Sequence, residues 1–188
     1  MYLSAFTKLI FLGLGAATQL PGLGDSFTEY QVQHSNGRTV NMYLRDSYQS
    51  LNGSGGTINK RFYKTYHNDT HSHEICAETN FVETSTSESA LGNDCSAIIT
   101  GLQATPGYFD TGNYTAGSDY NYLAVCGSCA FGVYRTDGSS LGADIGSKDI
   151  VDNINVALIR FQRDGRVGAK GNFTCNSAPI GWAILRTA

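Results

Sequence analysis

Polar and apolar residues alternate from Thr39 to Leu44, with Val40, Met42 and Leu44 on one side and Thr39, Asn41 and Tyr43 on the other. That two-residue period predicts a half-buried strand. Phe27 to Val32 predicts its partner, and Ser35-Asn36-Gly37-Arg38 between them holds the Asn-Gly pair that favours a tight hairpin turn. Leu51 to Gly56 has no pattern that would pack and reads as a flexible linker. Beyond Ile75 the period lengthens. Leu91, Cys95, Ile98, Ile99 and Leu102 recur at helical spacing, and Ser85 and Glu88 ahead of them stand three apart, as in a capping box. Pro106-Gly107 ends that helix. Tyr108 to Tyr122, rich in Gly, Asn, Asp and Tyr, predicts a surface loop or an irregular strand. Leu123 to Tyr134 predicts a strand closing on the turn Thr136-Asp137-Gly138. A second helix is expected near Ser147, whose hydroxyl can cap the first turn, with Asp149 close to its positive end. Ile150, Ile154, Ala157, Leu158 and Phe161 form its apolar stripe, and Asp164-Gly165 its stop signal. Val167 to Cys175 and Ile180 to Leu185 predict two closing strands, with Pro179 at their boundary.

Helices and strands therefore do not alternate as β-α-β units. The pattern predicts an α+β domain: an antiparallel β-sheet with two α-helices packed on one face. With 188 residues, the chain fits one domain plus processed or flexible ends.

The N-terminus bears on compartment. Lys8 is followed by an apolar run from Leu9 to Leu14 and the small residues Gly15, Ala16 and Ala17, the form of a signal peptide spanning 1–17. The run is shorter than the roughly 20 apolar residues of a membrane span. Residues 18–61 read as a hairpin plus the Gly-rich linker, ending at the dibasic pair Lys60-Arg61. That pair is either a site for a processing protease, making 18–61 a pro-segment, or an ordinary exposed pair beside a hairpin at the edge of the mature fold. Residues 62–188 make up the main domain. Sequons at Asn52, Asn68 and Asn113 are glycosylation candidates, whereas that at Asn172 stands beside Cys175 in what reads as packed structure. Net charge is −3 and the isoelectric point about 5.7, with no basic cluster to suggest nucleic acid or an anionic membrane.

Five cysteines, at 76, 95, 126, 129 and 175, imply two bridges and one thiol left over, and spacing alone leaves the connectivity open. Cys95 on the helical stripe can reach a strand cysteine such as Cys129, and Cys76 and Cys175 flank the core. Cys126-Gly-Ser-Cys129 has redox-motif spacing, but strand-like residues follow it rather than the helix N-terminus that would lower a thiol pKa. A zinc site would need a second close pair.

Several motifs together resemble one known family. Cys76 is followed by Asn80-Phe81, and a Ser-rich stretch leads to Asp94-Cys95. Gly127-Ser128-Cys129-Ala130-Phe131-Gly132-Val133 follows, then Asp149-Ile150-Val151-Asp152. Gly165-Arg166-Val167-Gly168-Ala169-Lys170-Gly171 leads to Cys175, and Gly181-Trp182-Ala183-Ile184 ends the series. In this order, over residues 75–185, they resemble the fungal "extracellular protein 2" effectors with their necrosis-inducing-factor domain. The resemblance implies nested disulfides Cys76–Cys175 and Cys95–Cys129, leaving Cys126 unpaired. It implies secretion during plant colonisation, induction of host cell death, and a partner that is a host plant protein or cell-surface component. Cys126 is extra to the family pattern, and Tyr108 stands where a Trp is usual.

Other candidate chemistry is sparse. His67, His71, His73 and Glu74 suggest a metal site, but the spacing is loose, and a solvated linker is the preferred reading. Asp149 and Asp152, three apart on a helix, would not flank a substrate as a glycosidase pair must. The tyrosines near Tyr114 and Tyr120 are candidates for a binding surface, against ordinary aromatic packing. No catalytic residues, metal or cofactor are assigned. The expectation is a secreted, non-enzymatic effector that binds a host component and promotes necrosis. The alternatives are a killer-toxin-like antifungal protein and a cell-wall carbohydrate-binding module.

Overall fold

The computed structural model describes residues 17–18, 26–33, 37–50, 61–112 and 119–187. Residues 1–16 of the signal segment, Asn36, the linker with Asn52, Lys60, Asn113 and Tyr114 lie outside them. The elements run β1 (Ala17–Thr18), β2 (Ser26–Gln33), β3 (Thr39–Ser50), β4 (Arg61–Lys64), β5 (Tyr66–Asn68), β6 (Val82–Glu83), β7 (Ala90–Leu91) and α1 (Gly92–Ala104). They continue with β8 (Gly107–Asp110), β9 (Asn121–Cys126), β10 (Cys129–Arg135), β11 (Asp144–Gly146), α2 (Ser147–Phe161), β12 (Arg166–Val167), β13 (Ala169–Cys175) and β14 (Ala178–Arg186).

The main sheet has the order β1-β2-β3-β9-β10-β14-β13-β6, with β4 also paired to β3. Two small sheets, β11-β8-β5 and β12-β7, stand beside it, and the pairings among the described residues are antiparallel. The N-terminal hairpin is part of this sheet: Met42, Tyr43 and Leu44 pair with Cys126, Val125 and Ala124.

Strand alternation sends Met42, Leu44, Phe131, Val133, Ile180, Trp182 and Phe173 into one core with Cys95, Ile98 and Leu102 of α1 and Ile150, Ile154 and Ala157 of α2. Trp182 is its largest member, stacked on Phe131 with centroids 5.9 Å apart and met edge-on by Phe81 at 5.2 Å. Its indole N–H donates to Thr79 Oγ1 at 2.7 Å, so no polar atom of that ring is stranded inside. Helix α1 touches β2, β3, β9 and β10, while α2 touches α1 and the short strands β8, β11 and β12. On the other side of the main sheet, Phe27, Val125 and Ala130 form a second, smaller cluster with Tyr43, Tyr122 and Leu185 packed against it.

Four local expectations are corrected. Ser85 and Glu88 do not cap α1, which starts at Gly92 with Leu91 at the N-cap and no side-chain cap. Ser85 Oγ instead donates to the Phe161 carbonyl at 2.8 Å and accepts from Gly168 N–H, while Glu88 pairs with Arg186 at 2.6 Å. Ser147 is the first residue of α2, not its cap; its buried hydroxyl accepts from Gly107 N–H, and Asp149 accepts from Gly146 N–H. The single strand expected from Leu123 to Tyr134 is two, folded at Gly127-Ser128. Asp164-Gly165 does not terminate the helix, which ends at Phe161. With φ of 48° and 75° this pair instead makes the turn between the bridged Arg163 and Arg166. For Ser85, Glu88 and Ser147, a tertiary partner claimed the group that a local cap would have used.

Candidate functional site

Two disulfides join Cys76 to Cys175 and Cys95 to Cys129. The first ties the segment entering the domain to the end of β13. The second ties α1 to β10, because Cys95 on the buried helical stripe meets a residue that points inward from the sheet. Between Cys126 and Cys129 the chain turns on two residues, with Gly127 at φ 53° in the first. The carboxylate of Asp94 closes this turn, accepting from Ser128 N–H and Oγ. A Cβ at position 127 would lie 2.6 Å from that carboxyl carbon, so glycine is needed there for room as well as for φ. Cys126 is a free, buried thiol, and burial, with Asp94 second, pushes its pKa up to about 12. It has the opposite character to a redox-active thiol.

The outward face of the sheet is aromatic. Asn172, Gly181 and Tyr134 lie directly opposite one another on β13, β14 and β10, and Lys170, Ala183 and Gly132 form the next row. The Tyr134 ring lies over Gly181, where any Cβ would overlap it. Tyr120 sits over Gly132, whose own Cβ would stand 3.1 Å from that of Tyr120. The two rings meet edge to face at 4.9 Å and 84°. Burial, then the neighbouring Tyr134, raises the Tyr120 phenol above its ordinary value. Both tyrosines keep partial exposure, and Asn172 and Lys170 are exposed beside them. Tyr134 was not singled out from the sequence, and Gly132 and Gly181 entered only as members of family motifs. The available signal was a Tyr on one strand placed to face a Gly on the next, which requires the register.

A third cluster surrounds Tyr108. From His67 to Glu74 the chain is exposed at 68–72 and at Glu74, as a solvated segment is, while His67 stacks on Tyr108 at 4.8 Å and the preceding Tyr66 is buried against Phe109. His73 meets the same ring edge-on at 5.4 Å and pairs with Asp69 at 2.7 Å. Among the described residues, no group of three or more His, Cys, Asp or Glu is placed to hold a metal ion. Asp110 and Asp144 face one another across β8 and β11; burial, and then the Asp110 charge, raises the Asp144 carboxyl. Asp149 and Asp152 separate. Asp149 turns inward to accept from the backbone of Ile75, Cys76 and Gly146, whereas Asp152 is exposed and paired with Lys148. Of the sequons, Asn68 and Asn172 are both exposed.

The motifs that build this scaffold match a family described as "Pathogen effector; putative necrosis-inducing factor" over residues 75–175. The chain belongs to this effector family. Within the effector domain, the matched span starts one residue before the first disulfide cysteine and ends on its partner, so it coincides with the loop closed by Cys76–Cys175. Among curated proteins, the chain is 28% identical over 115 residues to "Probable chitinase LysM18" of Penicillium expansum. It is 26% identical over 149 residues to "Secreted chitinase LysM12" of the same organism. These alignments cover 58% and 76% of the chain but only 8% and 10% of those proteins. The effector domain is thus similar to a small part of much longer proteins. Among the described residues, no helix is long and apolar enough to cross a membrane. Disulfides persist in oxidising compartments, which points to an extracellular location.

Proposed function

We propose that this protein is an exported effector that acts on a host plant by binding a protein or cell-surface component, without catalysis of its own, and that this engagement promotes necrosis. The observation that carries the reading is the family match over residues 75–175, on a domain closed by two disulfides. Export through a signal peptide at 1–17 and a sheet covered by both helices on one face belong to the same reading. Infiltration of the purified, oxidised protein into leaves tests it: local cell death in responsive host genotypes is expected, and its absence across many genotypes overturns the reading.

A second reading is favoured by one specific observation, the names of the two matched relatives, both chitinases. In it the domain is a module that holds cell-wall carbohydrate. Retention of the protein on insoluble chitin tests this reading independently of any effect on leaves.

A further inference from the structure

The geometry points to a saccharide-binding plate on the outward face of the sheet, formed by Tyr134 and Tyr120 and rimmed by Asn172 and Lys170, whose ligand is a β-linked N-acetylglucosamine oligomer. This assignment rests on the carbohydrate-module reading and gives that reading a place and a set of contacts.

The plate follows from sheet register. Adjacent strands are about 4.8 Å apart, so Asn172 and Tyr134, two strands apart with Gly181 between them, stand roughly 10 Å from one another. A side chain at 181 would fill that gap. Glycine leaves it open, and the Tyr134 ring lies over it while staying partly exposed. Tyr120, seated on Gly132, meets the ring edge to face and limits its rotation. The aromatic surface is therefore ordered before any ligand arrives, which removes part of the entropy that binding would otherwise cost.

The chemistry suits a sugar better than a protein anchor. A protein hot spot seats an aromatic knob in a partner's pocket, whereas Tyr134 is held over Gly181 of its own sheet and does not project as a knob. A β-linked pyranose presents a flat array of C–H groups on each face, with its hydroxyl and acetamido groups around the edge. Stacked on Tyr134, such a ring would bring its edge toward β13, where Lys170, Asn172 and Thr174 alternate outward and are exposed. The Asn172 amide can both donate to and accept from an acetamido group, and the Lys170 ammonium donates to hydroxyls. The ligand is uncharged, so the single ammonium serves as a hydrogen-bond donor, not half of an ion pair.

The experiment is a backbone-amide NMR titration of full-length oxidised protein made without N-glycosylation, with tetra-N-acetylchitotetraose and with cellotetraose as separate ligands. Shifts centred on Gly132, Tyr134, Asn172 and Gly181 are expected. Tyr134→Ala should weaken binding about tenfold, while Tyr134→Phe, which keeps the ring, retains most of it. Asn172→Ala should narrow the preference for the acetylated oligomer over cellotetraose. Ile159→Ala, at an exposed site on α2, serves as the folded control with unchanged affinity. Shifts centred elsewhere, or wild-type affinity in Tyr134→Ala, would overturn the plate while leaving retention on chitin intact. Loss of both oligomer binding and chitin retention would overturn the carbohydrate reading as well.

Discussion

A single oxygen of Asp94 accepts two hydrogen bonds from Ser128, from its backbone N–H at 2.8 Å and from its hydroxyl at 2.7 Å. The contact joins residues 34 apart in sequence and pins the turn between β9 and β10 to the first turn of α1, beside the Cys95–Cys129 bridge. Asp94→Ala leaves a partly buried N–H without its charged acceptor, and a loss of about 1–3 kcal/mol is expected in urea unfolding. Asp94→Asn, which keeps one acceptor, should lose less.

The two bridges should differ in what they contribute. Cys76–Cys175 spans 99 residues and Cys95–Cys129 spans 34. Loop-closure entropy alone assigns them about 4.7 and about 3.8 kcal/mol. The double serine variant at Cys76 and Cys175 should therefore unfold at lower denaturant than the one at Cys95 and Cys129. The opposite order would mean that native-state contacts, not the unfolded chain, govern the difference.

Cys126 should resist alkylation in the native protein at pH 8 and react readily in guanidinium, which mass spectrometry can follow. Its folded pKa is raised to about 12 by burial and then by Asp94, against about 8.5 in an unfolded chain. For a raised pKa, the contribution to stability is complete below about pH 8.5 and is lost as pH rises toward about 12. Urea midpoints measured from pH 8 to 10 should fall in the wild type and fall less steeply in Cys126→Ala.

The β2–β3 hairpin places Val32, Met42 and Leu44 in the same core as Leu102 and Cys126, each essentially fully buried. Burying such side chains is worth about 1.5–3 kcal/mol apiece. If processing occurs at Lys60-Arg61, the hairpin should stay bound after cleavage, and a protein lacking residues 1–61 should be markedly less stable. Intact mass and thermal unfolding of the secreted product check both. A truncated domain as stable as the full chain would show that the hairpin is dispensable.

Local pattern determined much of this protein. The alternation at Thr39–Leu44 yielded a strand because half its residues must leave water. The stripes through Cys95, Ile98 and Leu102 and through Ile150, Ile154 and Ala157 yielded helices, since only that period brings them to one side. The family motifs were legible as fixed runs of residue types. Among their glycines, however, only Gly127 and Gly165 meet a local demand, a positive φ, while Gly168, Gly171 and Gly181 are required where distant segments press close. Only the tertiary structure decided which partner each polar group took. Ser85, Ser147 and Asp149 have locally plausible capping roles, and long-range carbonyls and amides claimed them in part or altogether. It also decided the Tyr134 plate, because strand register lies outside local propensity: a shift of one residue in β14 would put Trp182 under that ring in place of Gly181.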